Sequence, residues 1–121
     1  MSTKAAWNAK IRNYKNAARS RGFSWDLARE EALSLFKGRC EYCGSQPNKH
    51  FNPYTNSQRI SEDTKNQSWI MFNGIDRLDN QKGYFLLNCV SCCWQCNKSK
   101  GTMSLSEFET WIERMVEFRS E

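Results

Sequence analysis

Long apolar runs are missing from this 121-residue sequence. No stretch approaches the roughly 18 residues that a membrane-spanning helix requires. The opening Met1-Ser2-Thr3-Lys4 leads into no apolar region of the kind a secretory signal carries. Acidic residues are absent from positions 1–25, proline occurs only at Pro47 and Pro53, histidine only at His50, and there is no internal repeat. These absences argue against a membrane protein, a secreted protein and a repeat array. Disorder is argued against by what is present: 39% hydrophobic residues, with five Trp, four Tyr and seven Phe. The length suits one domain, or one domain with an arm. Its core would be modest, and small folds of this size often carry a staple.

Charge is uneven along the chain. Eighteen Lys and Arg against thirteen Asp and Glu give a net charge of +5. The acid-free N-terminal stretch holds Lys4, Lys10, Arg12, Lys15, Arg19 and Arg21, whereas residues 104–121 hold five Glu against Arg114 and Arg119. A basic N-terminal half suits a polyanion such as nucleic acid. The plain alternative is the solvated helix face of a basic protein.

Six cysteines without a signal sequence point to reduced thiols and not to a disulfide framework. Cys40 and Cys43 form one Cys-x-x-Cys pair, Cys93 and Cys96 a second, and Cys89 and Cys92 a third that overlaps it. Two such knuckles brought together make a tetrahedral thiolate site for zinc. Gly44 follows the first knuckle and permits its tight turn. A redox pair or unrelated buried thiols are the alternatives.

The element pattern is coarse but readable. Trp7, Ile11, Tyr14 and Ala18 fall at helical spacing in the first 20 residues, and Arg21-Gly22 breaks that helix. A second helix is expected from near Asp26, as N-cap, to Lys37, stopped by Gly38. Residues 45–68, rich in Asn, Ser, Gln and Lys, read as a long loop or insertion. Trp69 to Phe72 reads as a strand. Gly74 to Asp79 runs toward a turn at residues 80–83, and Tyr84 to Leu87 is the expected return strand. A short helix should start near Cys93. Ser104-Leu105-Ser106-Glu107 is a capping box that opens a final helix with Phe108, Trp111, Ile112, Met115 and Val116 on one face.

Residues 74–101, GIDRLDNQKGYFLLNCVSCCWQCNKSKG, concentrate the chemistry. Asp76-Arg77, Asn88, Cys93-x-x-Cys96-Asn97 and Lys100 occur in the order and spacing of a known motif. The block resembles the HNH endonucleases, also called ββα-metal or His-Me finger nucleases. Its Asp-Arg…Gly-Tyr form, Asp76 to Tyr84, looks like a branch found in phage genomes and in some rare-cutting restriction endonucleases. Arg21 to Leu27, the Glu30-Glu31 helix and Cys40-x-Tyr42-Cys43-Gly44 look like the lead-in of the phage members. The resemblance covers about residues 19–118, with 45–68 as a variable insert.

The resemblance implies a zinc ion held by Cys40, Cys43, Cys93 and Cys96, leaving Cys89 and Cys92 as buried small side chains. It implies Mg²⁺ or Mn²⁺ on the carboxylate of Asp76 and the amide oxygen of Asn97, both hard ligands. Such a cation would act as a Lewis acid on the phosphate and the leaving 3′-oxygen. Asp and Asn also cap turns and helices, so each has a plain structural reading. Arg77 departs from the common motif, which has a histidine there. Arginine is a poor base, but it can hold a phosphate and stabilise the transition state. Tyr84 then becomes the candidate base, positioner or nucleophile. His50 lies outside the motif and reads as a surface residue. Asn88 would tie the hairpin to its neighbour, and Asp79 would brace Arg77 or shape the turn. Lys98, Lys100, Arg12, Lys15, Arg19 and Arg21 are candidates for phosphate contacts.

The expected fold is therefore a small α+β, zinc-stapled ββα-metal core with N-terminal helices and a C-terminal amphipathic helix. Residues 1–39 would form a basic helical region, 40–103 the nuclease core, and 104–121 a helix packed on it. The expected function is divalent-metal-dependent hydrolysis of DNA, leaving 5′-phosphate and 3′-hydroxyl ends. A single site of this kind cuts one strand, so double-strand cleavage would imply a homodimer. Alternatives are a non-catalytic zinc-containing DNA-binding protein derived from the same fold, and a protein-interaction module using the C-terminal helix. The phage-like resemblance implies a bacterial cytoplasm as the setting, with the protein encoded by an infecting phage or a prophage.

Overall fold

The structure, a computed structural model, describes residues 3–121. Met1 and Ser2, which belong to the N-terminal segment read for a secretory signal and for the first helix, lie outside the described residues. Five helices and two small sheets make an α+β fold. In chain order these are α1 (Lys4–Ser20), α2 (Arg29–Lys37), β1 (Lys49–Phe51), α3 (Glu62–Asn66), β2 (Ile70–Phe72), β3 (Gly74–Arg77), a 3₁₀ turn (Leu86–Asn88), β4 (Cys89–Cys92), α4 (Trp94–Lys100) and α5 (Leu105–Arg119). No described helix is long and apolar enough to cross a membrane.

The helices end where local chemistry ends them. α5 opens on the expected capping box: the Ser104 hydroxyl accepts from the Glu107 N–H, and the Glu107 carboxylate accepts from the Ser104 N–H. α2 begins at Arg29, later than the sequence suggested. Its N-cap is Ala28, whose N–H donates to Glu31, while the N–H of Asp26 is drawn to the carbonyl of Tyr84 instead. The return strand is also displaced. β3 pairs antiparallel with β4 in the register Gly74 with Cys92, Ile75 with Ser91, Asp76 with Val90 and Arg77 with Cys89. Tyr84 makes a parallel bridge to Trp25, and Leu86 and Leu87 are exposed. The segment 45–68 is not one long loop: β1 pairs antiparallel with β2, and α3 packs within the connection.

Two cores meet at β4. The larger gathers Ala18 of α1, Leu27, Ala32 and Phe36 of the α2 region, Phe72, Ile75, Tyr84 and Cys89. Phe36 is its hub, fully buried and ringed by Trp7, Tyr14 and Phe72. Truncating such a residue to alanine costs about 3–5 kcal/mol. The smaller core gathers Cys40, Cys92 and Cys93, with Tyr42 and Cys96 against them. Cys89 and Cys92, three residues apart on β4, point to opposite faces and so belong to different cores. Of α5, only Phe108 is buried, packed edge-on against Tyr42; Met115, Val116 and Phe118 near its far end are exposed.

Candidate active site and metal centre

The first knuckle turns on Gly44, whose φ of +76° is strained for any residue with a side chain. Its N–H closes the turn on the Cys40 carbonyl at 2.9 Å. Buried Asn73 holds the knuckle to the β2–β3 junction, donating to the carbonyls of Gly38 and Ser45. Cys93 is the N-cap of α4, and Cys96 lies in that helix's first turn. The sulfurs of Cys40, Cys43, Cys93 and Cys96 all lie within 4.8 Å of one another. A tetrahedral zinc–thiolate site with bonds of about 2.3 Å has sulfur–sulfur edges of about 3.8 Å. The Cys43 and Cys93 sulfurs stand 3.7 Å apart. The donor set and its spacing therefore fit a structural zinc ion. The Cys43 thiol is pulled down to about 6, chiefly by hydrogen bonding to Ser45, which favours the thiolate that a metal needs. Cys89 and Cys92 stay outside the cluster, buried, and burial pushes both thiols up.

Beside this centre lies an open cleft of about 880 Å³ between α1, the β3–β4 hairpin and α4. Asp76, Arg77, Tyr84, Asn97 and Arg21 all line it. Asp76, in β3, is 6% exposed. Its Oδ2 accepts from the Tyr42 hydroxyl at 2.7 Å and faces the Lys100 ammonium at 3.4 Å. Oδ1 accepts no hydrogen bond from the described residues. Arg77 spends Nη1 on the carbonyls of Asn80 and Lys82, at 2.7 and 2.8 Å, and its guanidinium lies 3.7 Å from the Phe23 ring centre. Nε and Nη2 keep their donors. Asn97 is exposed on α4.

Tyr84 is placed by Gly83. A Cβ there would sit 2.8 Å from the Ser24 carbonyl oxygen and 3.1 Å from its nitrogen, so only glycine lets the two backbones approach. The Tyr84 N–H then donates to the Ser24 carbonyl at 2.9 Å. The ring is buried against Trp25, and its hydroxyl accepts from Arg21 Nη2 at 2.8 Å. Asn88 braces the loop: its amide donates to the carbonyls of Asp79 and Gly83, and its oxygen accepts from the Asp79 N–H. The Asp79 carboxylate accepts from the Gln81 N–H and so shapes the turn.

The expected phosphate contacts divide. Lys98 is exposed beside Trp94, and Arg21 reaches the cleft. Arg12 and Lys15 line a separate groove with Trp25 and Arg29, and Arg19 is exposed near the end of α1. Lys100 needs correction as a surface contact. It is 1% exposed, and its ammonium is committed to Asp76 and the Arg77 carbonyl. His50 lies on the exposed side of β1 against Trp69, outside the cleft lining. Sequence reasoning missed Tyr42 and Lys10. Tyr42 was visible inside Cys-x-Tyr-Cys, but nothing local announced its contact with Asp76. Lys10 lines the cleft and lies over the Phe72 and Phe51 rings, and burial followed by the charge of Lys49 lowers its pKa.

No family model matches the chain. An uncharacterized protein, R423 of Acanthamoeba polyphaga mimivirus, is 32% identical over 99 residues, which is 82% of this chain. The chain spans only 15% of that protein's length. Among solved structures, the rare-cutting HNH restriction endonuclease PacI is similar over 90% of this chain and 75% of its own, with a TM-score of 0.60 and 22% identity. The chain thus has an HNH endonuclease fold, built around a four-cysteine cluster that could hold zinc.

Proposed function

We propose that this chain is a divalent-metal-dependent HNH-type endonuclease that hydrolyses DNA phosphodiester bonds. The observation that carries the reading is the convergence of Asp76, Asn97, Arg77, Tyr84 and Arg21 on one open cleft. Asp76 and Asn97 would hold Mg²⁺ or Mn²⁺, which supplies Lewis-acid stabilisation of the phosphate and the leaving oxygen. Asp76 suits that task because both its protein contacts fall on Oδ2.

The chain's own residues supply the rest. Arg77, anchored through Nη1, offers its remaining donors to the non-bridging phosphate oxygens. Arg21 donates to the Tyr84 oxygen and would stabilise negative charge building there. As a phenolate, Tyr84 would take the proton of the attacking water while the P–O3′ bond breaks and the leaving oxygen takes a proton from solvent, giving a 5′-phosphate and a 3′-hydroxyl. Attack by the phenolate itself would break the same bond and leave the 5′-phosphate on Tyr84 until water released it. Cutting both strands would call for a second copy of the chain. The setting this reading assigns, from the phage-type motif alone, is a bacterial cytoplasm during infection.

The test is cleavage of supercoiled plasmid by zinc-loaded protein, with and without Mg²⁺ or Mn²⁺, beside Asp76→Ala and Tyr84→Phe. Metal-dependent nicking that Asp76→Ala abolishes supports the reading; full activity in Asp76→Ala sinks the metal assignment. The ion pair of Asp76 with buried Lys100 favours one second reading, a non-catalytic zinc-containing DNA-binding protein, because the carboxylate already has a cation beside it. Tight DNA binding by folded protein that cuts nothing with either metal would select that reading.

A further inference from the structure

Trp94 opens α4 and is 56% exposed, although nothing in the cleft chemistry uses it. Two ammonium groups lie against its ring. Lys98, one turn along the same helix, places Nζ 4.8 Å from the ring centre. Lys49, from β1 in the 45–68 segment, places Nζ 5.2 Å from it. A cation over an indole face is attracted by the ring quadrupole. The ring therefore holds together two like charges that would otherwise separate. Neither lysine has a carboxylate partner among the described residues, where the ion pairs are Lys65 with Glu62, Lys82 with Asp79 and Lys100 with Asp76.

This patch is continuous with the cleft on two sides. Asn97, between Trp94 and Lys98 on α4, lines the cleft. Lys10 lines it from α1 and lies close enough to Lys49 for their charges to oppose each other. Like charges gathered without counter-charge are relieved when a polyanion arrives, and a strand running out of the cleft would reach this row first.

We propose that Lys49 and Lys98, held on the ring of Trp94, form a phosphate-binding subsite for the DNA strand that continues beyond the Asp76 cleft. The occupant's identity rests on the nuclease reading. The subsite itself rests on the two unpaired ammonium groups and the exposed ring. The 45–68 segment thereby contributes directly to substrate binding. The contact is to the backbone, so it adds affinity and register without reading sequence.

The experiment is a salt titration of duplex DNA binding, by fluorescence anisotropy, with zinc-loaded full chain and no added divalent cation. Wild type is compared with Lys49→Gln/Lys98→Gln. Both side chains are exposed, and melting temperature and zinc content are checked to be unchanged. Two lost phosphate contacts at about 0.9 each should make the log–log salt slope shallower by about 1.8 and weaken binding at least tenfold at about 0.1 M salt. An unchanged slope and affinity in the double variant would overturn the subsite while leaving the nuclease reading intact. The expected slope change in a chain that cleaves nothing would keep the subsite and remove the nuclease reading. Wild-type protein that binds no duplex DNA would overturn the subsite, and plasmid cleavage with Mg²⁺ or Mn²⁺ would then decide the nuclease reading separately.

Discussion

The Tyr42 hydroxyl donates a 2.7 Å hydrogen bond to Oδ2 of Asp76 and so joins the first cysteine knuckle to the carboxylate at the floor of the cleft. Tyr42 sits between Cys40 and Cys43, and its ring packs against Phe108 of α5. It touches no reacting atom in the proposed chemistry. In that chemistry it would be a positioning residue, fixing which oxygen of Asp76 remains available. Tyr42→Phe should retain zinc and DNA affinity while cleavage falls by about tenfold or more, as for partners that orient a metal ligand. Losing a hydrogen bond to a charged group should also cost about 1.5–3 kcal/mol of stability. Unchanged kcat would show that Asp76 is oriented without it.

Lys100 and Lys98 lie two residues apart on α4 yet should behave oppositely. Lys100→Met removes the partner of a buried carboxylate and should destabilise the protein by about 3 kcal/mol or more. It should leave the salt dependence of DNA binding unchanged. Lys98→Gln should leave stability unchanged and make that dependence shallower by about 0.9. Denaturant melts and binding isotherms on the two variants give the comparison directly. A shallower salt slope in Lys100→Met would mean that its ammonium reaches the substrate.

The six cysteines should sort into two classes. Cys40→Ser and Cys96→Ser should lose bound zinc and cooperative folding together, because the metal closes a long loop between the knuckles. Cys89→Ala and Cys92→Ala should retain one zinc per chain by elemental analysis. Burial pushes the Cys89 thiol up to about 11, so it should also resist alkylation at neutral pH. Zinc loss in Cys92→Ala would reassign the second knuckle.

Lys10 should trade stability for binding. Its pKa is lowered, first by burial and then by Lys49, so its charged form is less favoured in the folded chain than in the unfolded one. That penalty is fully present below its folded pKa and fades as pH rises through that value toward the ordinary lysine range. Any melting-temperature advantage of Lys10→Met over wild type should therefore narrow as pH rises toward the ordinary lysine range. The same variant should bind DNA more weakly. A gap that widens with pH would contradict the sign.

Locally encoded features were the legible ones. Cysteine spacing located the four-sulfur cluster, and Ser104 with Glu107 located the start of α5, because each is settled within a few residues. The return strand was not legible. Tyr84-Phe85-Leu86-Leu87 is apolar enough to read as a strand, but Gly83 lets Tyr84 join the Ser24–Asp26 backbone and Asn88 locks the intervening loop. Pairing with β3 is thereby deferred to Cys89–Cys92. Asp26 is not an N-cap either: its N–H pairs with Tyr84, and α2 starts three residues on, after Ala28. The burial of Lys100 and the contact of Tyr42 with Asp76 depend on segments distant in sequence, and neither leaves a mark in spacing or periodicity.

β4 has a thermodynamic consequence of its own. Its first residue, Cys89, packs with the aromatic cluster around Phe36, and its last, Cys92, packs with the sulfur cluster. A four-residue strand cannot fray at one end and keep its register at the other. The protein therefore has no half that can melt alone: calorimetry should record a single transition, in which the release of the metal and the loss of the aromatic near-ultraviolet signal coincide.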